Sequence, residues 1–399
     1  MAINNAGYTL EPVPEAGSTI PRRDTILQTA YGAYDGGYYY REPIRRTFVA
    51  SASYVTGSHA IKAGLQYGWG YFWRQRREPQ DLIQLYRSGV PAQVIIHNTP
   101  QDSYASMNAD QGIYLQDSWT VGRLTINPGL RLEHFNGSID GHDVAPGRFV
   151  AARHFETRTD VPNWNDIAPR FGVAWDVQGN GKTAVKVGVG KYVRAYSTGF
   201  AETYDPNFYT SGTLTWTDLN GDDVAQGARG CVYRSAGCEI DFSTLAASFG
   251  AKPLQNPADG IRRPYQIETN LSVQREVVPG TSVTVSYFRR DYRNQIWSDN
   301  IAIDPSDYTA VPVPSPIGEV VTVYNLNPAK ASAFNLLDAN SPTNYLKYTG
   351  FDVNFNSSMK GLQLFVGLSA GHPITNTCQA EAPNQVRVFD QAPVAIPSY

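Results

Sequence analysis

The segment Asp218-Leu219-Asn220-Gly221-Asp222-Asp223 sets side-chain oxygens at alternate positions around a glycine that permits a sharp turn. The first half of a calcium loop has this pattern. Asp218, Asn220 and Asp222 are the candidate ligands of a structural Ca²⁺, although Arg229 stands where such a loop carries its bidentate Glu. The competing reading is a solvated acidic turn. Just beyond it, Cys231 and Cys238 stand seven residues apart in a stretch rich in Gly, Ala and Ser. That spacing suits a disulfide formed in an oxidising compartment, and without a neighbouring His it argues against zinc. Cys378 is left to pair outside this sequence or to remain a free thiol.

Other chemistry finds little footing. Gly179-Asn180-Gly181-Lys182-Thr183 superficially suggests a phosphate loop, but Asp176 occupies the place of the first required Gly and no helical pattern follows. A tight turn is the better reading. No Gly-x-Ser-x-Gly motif occurs, and His59, His97, His134, His142, His154 and His372 show no paired spacing. The sequence therefore gives no positive evidence for an enzyme. Lys and Arg total 33 against 36 Asp and Glu, a net charge of -3 that argues against nucleic acid as a partner.

Whatever these residues do, they must be held by the pattern around them, and that pattern is alternation. From Ser103 to Trp119, Ala105, Met107, Ala109, Ile113 and Leu115 fall on one face, opposite Ser106, Asn108, Asp110, Gln116 and Ser118. After Val121-Gly122, Leu124, Ile126, Leu130 and Leu132 oppose Arg123, Thr125, Asn127, Arg131 and Glu133. The same two-faced hairpin recurs around Gln178-Gly179-Asn180-Gly181, Pro279-Gly280 and Lys360-Gly361, and less regularly around Thr56-Gly57-Ser58. About 12 to 14 strands of roughly 10 to 15 residues are expected, longer than the five or six usual in soluble sandwiches.

Tight turns alternate with long connections. No run of about 18 apolar residues is present, which excludes transmembrane helices but not membrane-spanning strands. An all-β, antiparallel transmembrane β-barrel segment is expected, with short periplasmic turns and long extracellular loops. Hydrocarbon leaves no water to satisfy backbone groups, so the Ala, Val, Ile, Leu and Phe face would meet lipid and the polar face a wet lumen. Asp110, Arg131, Glu133, Asp166, Arg170, Lys186 and Glu268 are the lumen-facing charges that could contact a plug or a solute, their default role being solvated wall. Aromatics at Tyr38-Tyr39-Tyr40, Tyr71-Phe72-Trp73, Trp119, Trp164 and Trp297 would form interfacial girdles.

Three stretches also carry a family resemblance. Tyr114-Leu115-Gln116-Asp117-Ser118-Trp119-Thr120 with Arg123-Leu124-Thr125-Ile126-Asn127-Pro128-Gly129-Leu130-Arg131-Leu132-Glu133 resembles the barrel signature of TonB-dependent receptors. So does Asn165-Asp166-Ile167-Ala168-Pro169-Arg170-Phe171-Gly172-Val173-Ala174-Trp175-Asp176, and Arg263-Pro264-Tyr265-Gln266-Ile267-Glu268 looks like the Oar-like branch. The resemblance implies active import of a solute across the cell outer membrane of a Gram-negative-type bacterium, driven through a plug domain and the TonB motor. It also implies about 22 strands, so this chain is expected to be an incomplete barrel, an internal piece without the plug. Met1 to Ile20 lacks the basic and apolar regions of a secretion signal, pointing to a cytosolic protein or to part of a longer chain.

The resulting division is an N-terminal coil over 1–23, a barrel segment over 24–371 and a truncated extracellular loop or coil over 372–399. Long extracellular loops are expected at about 75–102, 137–163, 195–263 and 298–346. Two other functions stay open: a plug-free structural or adhesion barrel, and a secreted β-rich polysaccharide-binding module. In the Tyr204-Asp205-Pro206-Asn207-Phe208-Tyr209 loop, the aromatics could stack on sugar rings or pack among themselves.

Overall fold

The computed structural model describes residues 3–4, 7–8, 20–34, 36–251, 254–314, 318, 320–331 and 333–376. Ten strands form one antiparallel sheet. In chain order they are β1 (Tyr38–Thr56), β2 (His59–Arg77), β3 (Gln101–Val121), β4 (Leu124–Ile139), β5 (Asn163–Asp176), β6 (Thr183–Val193), β7 (Tyr265–Val278), β8 (Thr281–Arg293), β9 (Tyr345–Met359) and β10 (Leu362–Asn376). Every strand pairs with its sequence neighbours, and β1 and β10 are the open edges, so the sheet is an unclosed barrel wall.

Short turns close one end of every hairpin. At β5–β6 the amides of Gly179 and Gly181, both at positive φ, donate to the two oxygens of Asp176 at 2.9 and 2.8 Å. The carboxylate therefore occupies the turn donors that a phosphate loop would offer to a ligand. The opposite end carries the long connections, 78–100, 140–162, 194–264 and 294–344.

Register fixes the faces. Leu130 and Leu132 of β4, Ile167 of β5, Val187 of β6 and Val285 of β8 are all exposed on the outer face. Arg131 pairs across the ladder with Ala168, and Glu133 with Asp166, on the inner face. β3 departs from simple alternation. Gly70 and Gly68 of β2 pair with Met107 and Asp110, so β3 carries one extra residue there, a β-bulge. Ile113 lies outward, 64% exposed, whereas Ala105 and Met107 are buried on the inner side, Met107 at 4%. The single apolar face expected for this strand is thus split by the bulge, which reverses the alternation above it.

Further expectations are corrected. The wall has ten strands among the described residues rather than 12 to 14, because wall strands reach 21 residues and shorter ones pair within the loops instead. Residues 21–23, expected as coil, belong to the strand Pro21–Asp24, which pairs in parallel with Leu82–Arg87. β10 runs to Asn376 and not Gly371, its partner β9 extending the ladder to Tyr345. Cys378 and the expected terminal coil beyond it lie outside the described residues.

The long connections are folded too. Ser211–Thr215, Val90–His97, Leu82–Arg87, Pro21–Asp24 and Thr29–Gly32 make a five-stranded sheet. Its core gathers Leu82, Tyr86, Val94, Ile96, Leu214 and Trp216, from segments far apart in sequence. Leu254–Pro257, Asn335–Asn340 and Ile296–Asn300 form a second small sheet.

Candidate functional site

Where the 194–264 connection meets the wall, Arg263 reaches the inner face. Its guanidinium lies 3.2 Å from Glu133 of β4 and 3.8 Å from Asp166 of β5, with the Phe135 ring beneath it at 5.6 Å. The Arg263 Nε donates to the Arg194 carbonyl at 2.7 Å. An aromatic ladder continues from this point. Phe135 packs on Trp164, Trp164 on Tyr196 and Phe200, and Phe200 on Tyr204, with Phe200 in the helix Gly199–Thr203 and Tyr204 capping its C-terminal end. The Trp164 indole donates to the Ile261 carbonyl at 2.7 Å, and the Tyr204 hydroxyl to Asp338 at 2.8 Å. Burial, reinforced by that Asp338 bond, pushes the Tyr204 hydroxyl well above its ordinary range.

Trp164 therefore turns inward and Trp297 sits in the loop strand Ile296–Asn300, so neither joins an outer girdle. Tyr40, edge-on to Trp73, and Tyr104, stacked on it, do lie together at the loop end of β1–β3. The inward charges are paired within the wall. Asp110 meets Arg45 at 2.6 Å, Arg131 meets Glu133 at 2.7 Å and Glu268 meets Arg290 at 2.7 Å. Lys186 donates to Gln274 at 3.2 Å, and Arg170 stacks on Tyr192 at 4.4 Å. Glu133 and Asp166 share Arg263 as a partner from the loops, and Asp166 also lies 3.8 Å from Lys191 of β6. Nearby, a pocket of about 410 Å³ opens between Tyr192, Arg194, Gln266, Tyr292, Gln295 and Leu346.

In the loop cap, the Asp218 carboxylate accepts from the amides of Gly221 and Asp223, and Asp222 accepts from Val224. Carboxylate oxygens of Asp218, Asp222 and the buried Glu239 lie within 4.8 Å of one another. Glu239 accepts the Leu219 amide at 2.8 Å. Asn220 points its amide to Asp222 at 2.9 Å. Cys231 and Cys238 are joined by a disulfide with Cα atoms 5.9 Å apart. Behind the acidic turn, the Tyr86 hydroxyl donates to Asp223 at 2.6 Å and is pushed up to about 12 by burial and by that bond.

His97 ends the strand Val90–His97 and is 4% exposed. Its Nδ1 is 2.5 Å from the Tyr209 hydroxyl, its Nε2 has no partner, and Arg76 lies over the Tyr209 ring. Burial and the neighbouring Arg76 charge pull the imidazole down to about 4. The aromatic 204–209 segment packs inside the cap, with Tyr204, Asp205 and Asn207 buried and Phe208 exposed.

The sequence matches the family described as an outer membrane beta barrel domain over residues 4–393. The chain belongs to that family. As an outer membrane beta barrel domain it resides in the cell outer membrane, and its outer rows of Leu, Ile and Val face lipid. No curated relative matches the sequence. Solved structures that this chain resembles include the Escherichia coli outer membrane transporter YddB, at 9% identity and TM-score 0.49, covering 90% of this chain and 37% of that one. The Neisseria meningitidis FrpB iron transporter shares 11% identity at TM-score 0.40, over 84% of this chain and 36% of its own. The Serratia marcescens hemophore receptor HasR, solved with its hemophore HasA and heme, shares 13% identity at TM-score 0.38, over 84% and 49%. This chain spans less than half the length of each.

Arg263 and Glu239 escaped the sequence reading because each acts across a long separation, 130 residues from Arg263 to Glu133 and 20 from Glu239 to Leu219. The only hint was the Arg262-Arg263-Pro264 cluster ahead of a strand.

Proposed function

We propose that this outer membrane beta barrel domain is the wall and loop cap of a TonB-dependent, Oar-like receptor that captures a solute and imports it with a plug and the TonB motor. The carrying observation is the way the loops fold onto the inner face: Arg263 and the Phe135–Tyr204 ladder fix the 194–264 connection beside a tyrosine-lined pocket. A cap braced by buried charge and aromatic packing suits reversible capture better than a plain pore, which needs an open mouth. Import, not catalysis, is the activity this arrangement supports.

The test is uptake in the parent bacterium. Deleting the gene should abolish import of the solute, an intact copy should restore it, and a copy lacking 196–262 should not. Loss of the TonB motor should abolish the restored uptake; motor-independent uptake would favour the plug-free barrel.

The cap's acidic turn would hold one Ca²⁺ through Asp218, Asn220 and Asp222. Glu239, arriving from outside the turn, supplies the acidic oxygens that Arg229 cannot. Calorimetric Ca²⁺ binding that Glu239→Gln weakens would support this, and no binding heat would dismiss it.

A further inference from the structure

We propose that the outer face of β7–β9 carries a binding site for the phosphate headgroup of an anionic membrane lipid. The site rests on the membrane placement of the wall and needs no transport activity. Outward positions near mid-wall are apolar: Val285 pairs with Val353 and Tyr287 with Phe351. Two residues further toward the loops on β8, about 7 Å along the strand, the outward residues change abruptly to Arg289, Asp291 and Arg293. Lys347 of β9 stands directly opposite Asp291, and Tyr265 of β7 opposite Arg293.

Arg289 grips Asp291 with two nitrogens at 2.8 and 3.2 Å, and Arg293 and Lys347 act on the same carboxylate. Three cations thus surround one anion and leave an excess of two positive charges. The edges are aromatic: the Lys347 ammonium lies over Tyr345 at 4.5 Å, and Tyr265 of β7 stands across the ladder from Arg293. Cations directly above a lipid-facing apolar band sit where lipid phosphates lie, and tyrosines favour the same interfacial depth. Asp291 holds Arg289 in place, so the cluster is ordered before a headgroup arrives. The other flank of the wall differs at this end: Glu42 there accepts the hydroxyls of Tyr40 and Tyr71 at 2.6 and 2.9 Å, presenting an anion. An anionic lipid therefore has one preferred flank. The membrane plane is the approach to these side chains, which selects a lipid over a soluble phosphate compound.

The experiment is native mass spectrometry of the full chain, purified in neutral detergent, delipidated and titrated with phosphatidylglycerol or phosphatidylcholine. The parent chain should retain phosphatidylglycerol preferentially, with binding that weakens as salt rises. Joint Arg289→Gln, Arg293→Gln and Lys347→Gln replacement should weaken it on the order of a hundredfold, three losses of roughly fivefold each. Arg46→Gln with Arg275→Gln, also outward but elsewhere, should leave it unchanged. Should the triple variant fail to fold, Lys347→Gln alone should still cost roughly fivefold. Equal retention of both lipids, undiminished binding by the charge-removed variants, or displacement by millimolar inorganic phosphate would each overturn the proposal.

Discussion

Arg263, carried by the connection between β6 and β7, sets its guanidinium 3.2 Å from the Glu133 carboxylate of β4 while only 4% exposed. A pair this buried is not a large net source of stability, because both ions lose water. Removing one partner is what costs, since the other charge stays behind unpaired.

Arg263→Met should therefore release the 194–264 connection from the wall, weakening its anchoring by about 3 kcal/mol. Hydrogen exchange should show faster exchange across 196–204 with wall strands unchanged. Adding Glu133→Gln and Asp166→Asn should recover part of the protection, and protection identical to the parent in the single variant would refute the anchoring role.

Leu130 is outward and Thr125 inward on the same strand. Leu130→Arg should cost about 2–4 kcal/mol of wall stability in bilayers, and Thr125→Arg little. Folding free energies measured in lipid vesicles decide this, and equal costs would mean the faces are misassigned.

The β3 bulge makes a sharper demand. A nitroxide attached through Ile113→Cys should be accessible to oxygen dissolved in lipid, and one attached through Met107→Cys should not, although an unbroken alternation would put both on one face. Equal lipid accessibility by electron paramagnetic resonance would remove the bulge from the native wall.

The buried His97 makes the cap sensitive to acid. Its imidazole is held near 4, below the ordinary value of about 6.5, so protonation favours the opened cap. The stabilisation is complete above about pH 6.5, falls as pH drops through that value and is exhausted near pH 4, for a total of about 3 kcal/mol. Limited proteolysis of the cap from pH 7.5 to 4 should show the loss, and His97→Gln should flatten it. A parent chain with no pH dependence in that window would contradict the burial of a neutral ring.

Cys231 and Cys238 should be recovered as one linked peptide by mass spectrometry of unreduced protein from the outer membrane. Two separately alkylated thiols would contradict the pairing.

The wall was readable in the sequence because alternation with period two is written locally, as in Leu130 and Leu132 against Arg131 and Glu133. The reversal at Met107 was not, since a bulge is one extra residue relative to a neighbour and shows only once strands are in register. The cap resisted for a related reason. Its core joins Leu82 and Trp216, from two connections, with Ile20 from the segment ahead of β1, stretches whose composition reads as irregular loop. Trp164 looked like a girdle residue because aromatics at strand ends serve both lipid interfaces and loop packing, and only the Ile261 carbonyl 97 residues away separates the two.

The wall's simple meander makes it modular in steps of two. Because each strand bonds only to its sequence neighbours, excising the β7–β8 hairpin with its following connection would bring β6 and β9 side by side with compatible direction and no rethreading. The perimeter of such a wall can thus be lengthened or shortened by duplication or loss of whole hairpins, the tight turns travelling with them. Within each hairpin the pairing is local and can zip from the tight turn, whereas neighbouring hairpins join across long separations, as Thr183 does with Arg275 and Thr281 with Ser357. The cap depends on segments separated by well over a hundred residues and must assemble after the strands that bring its parts together.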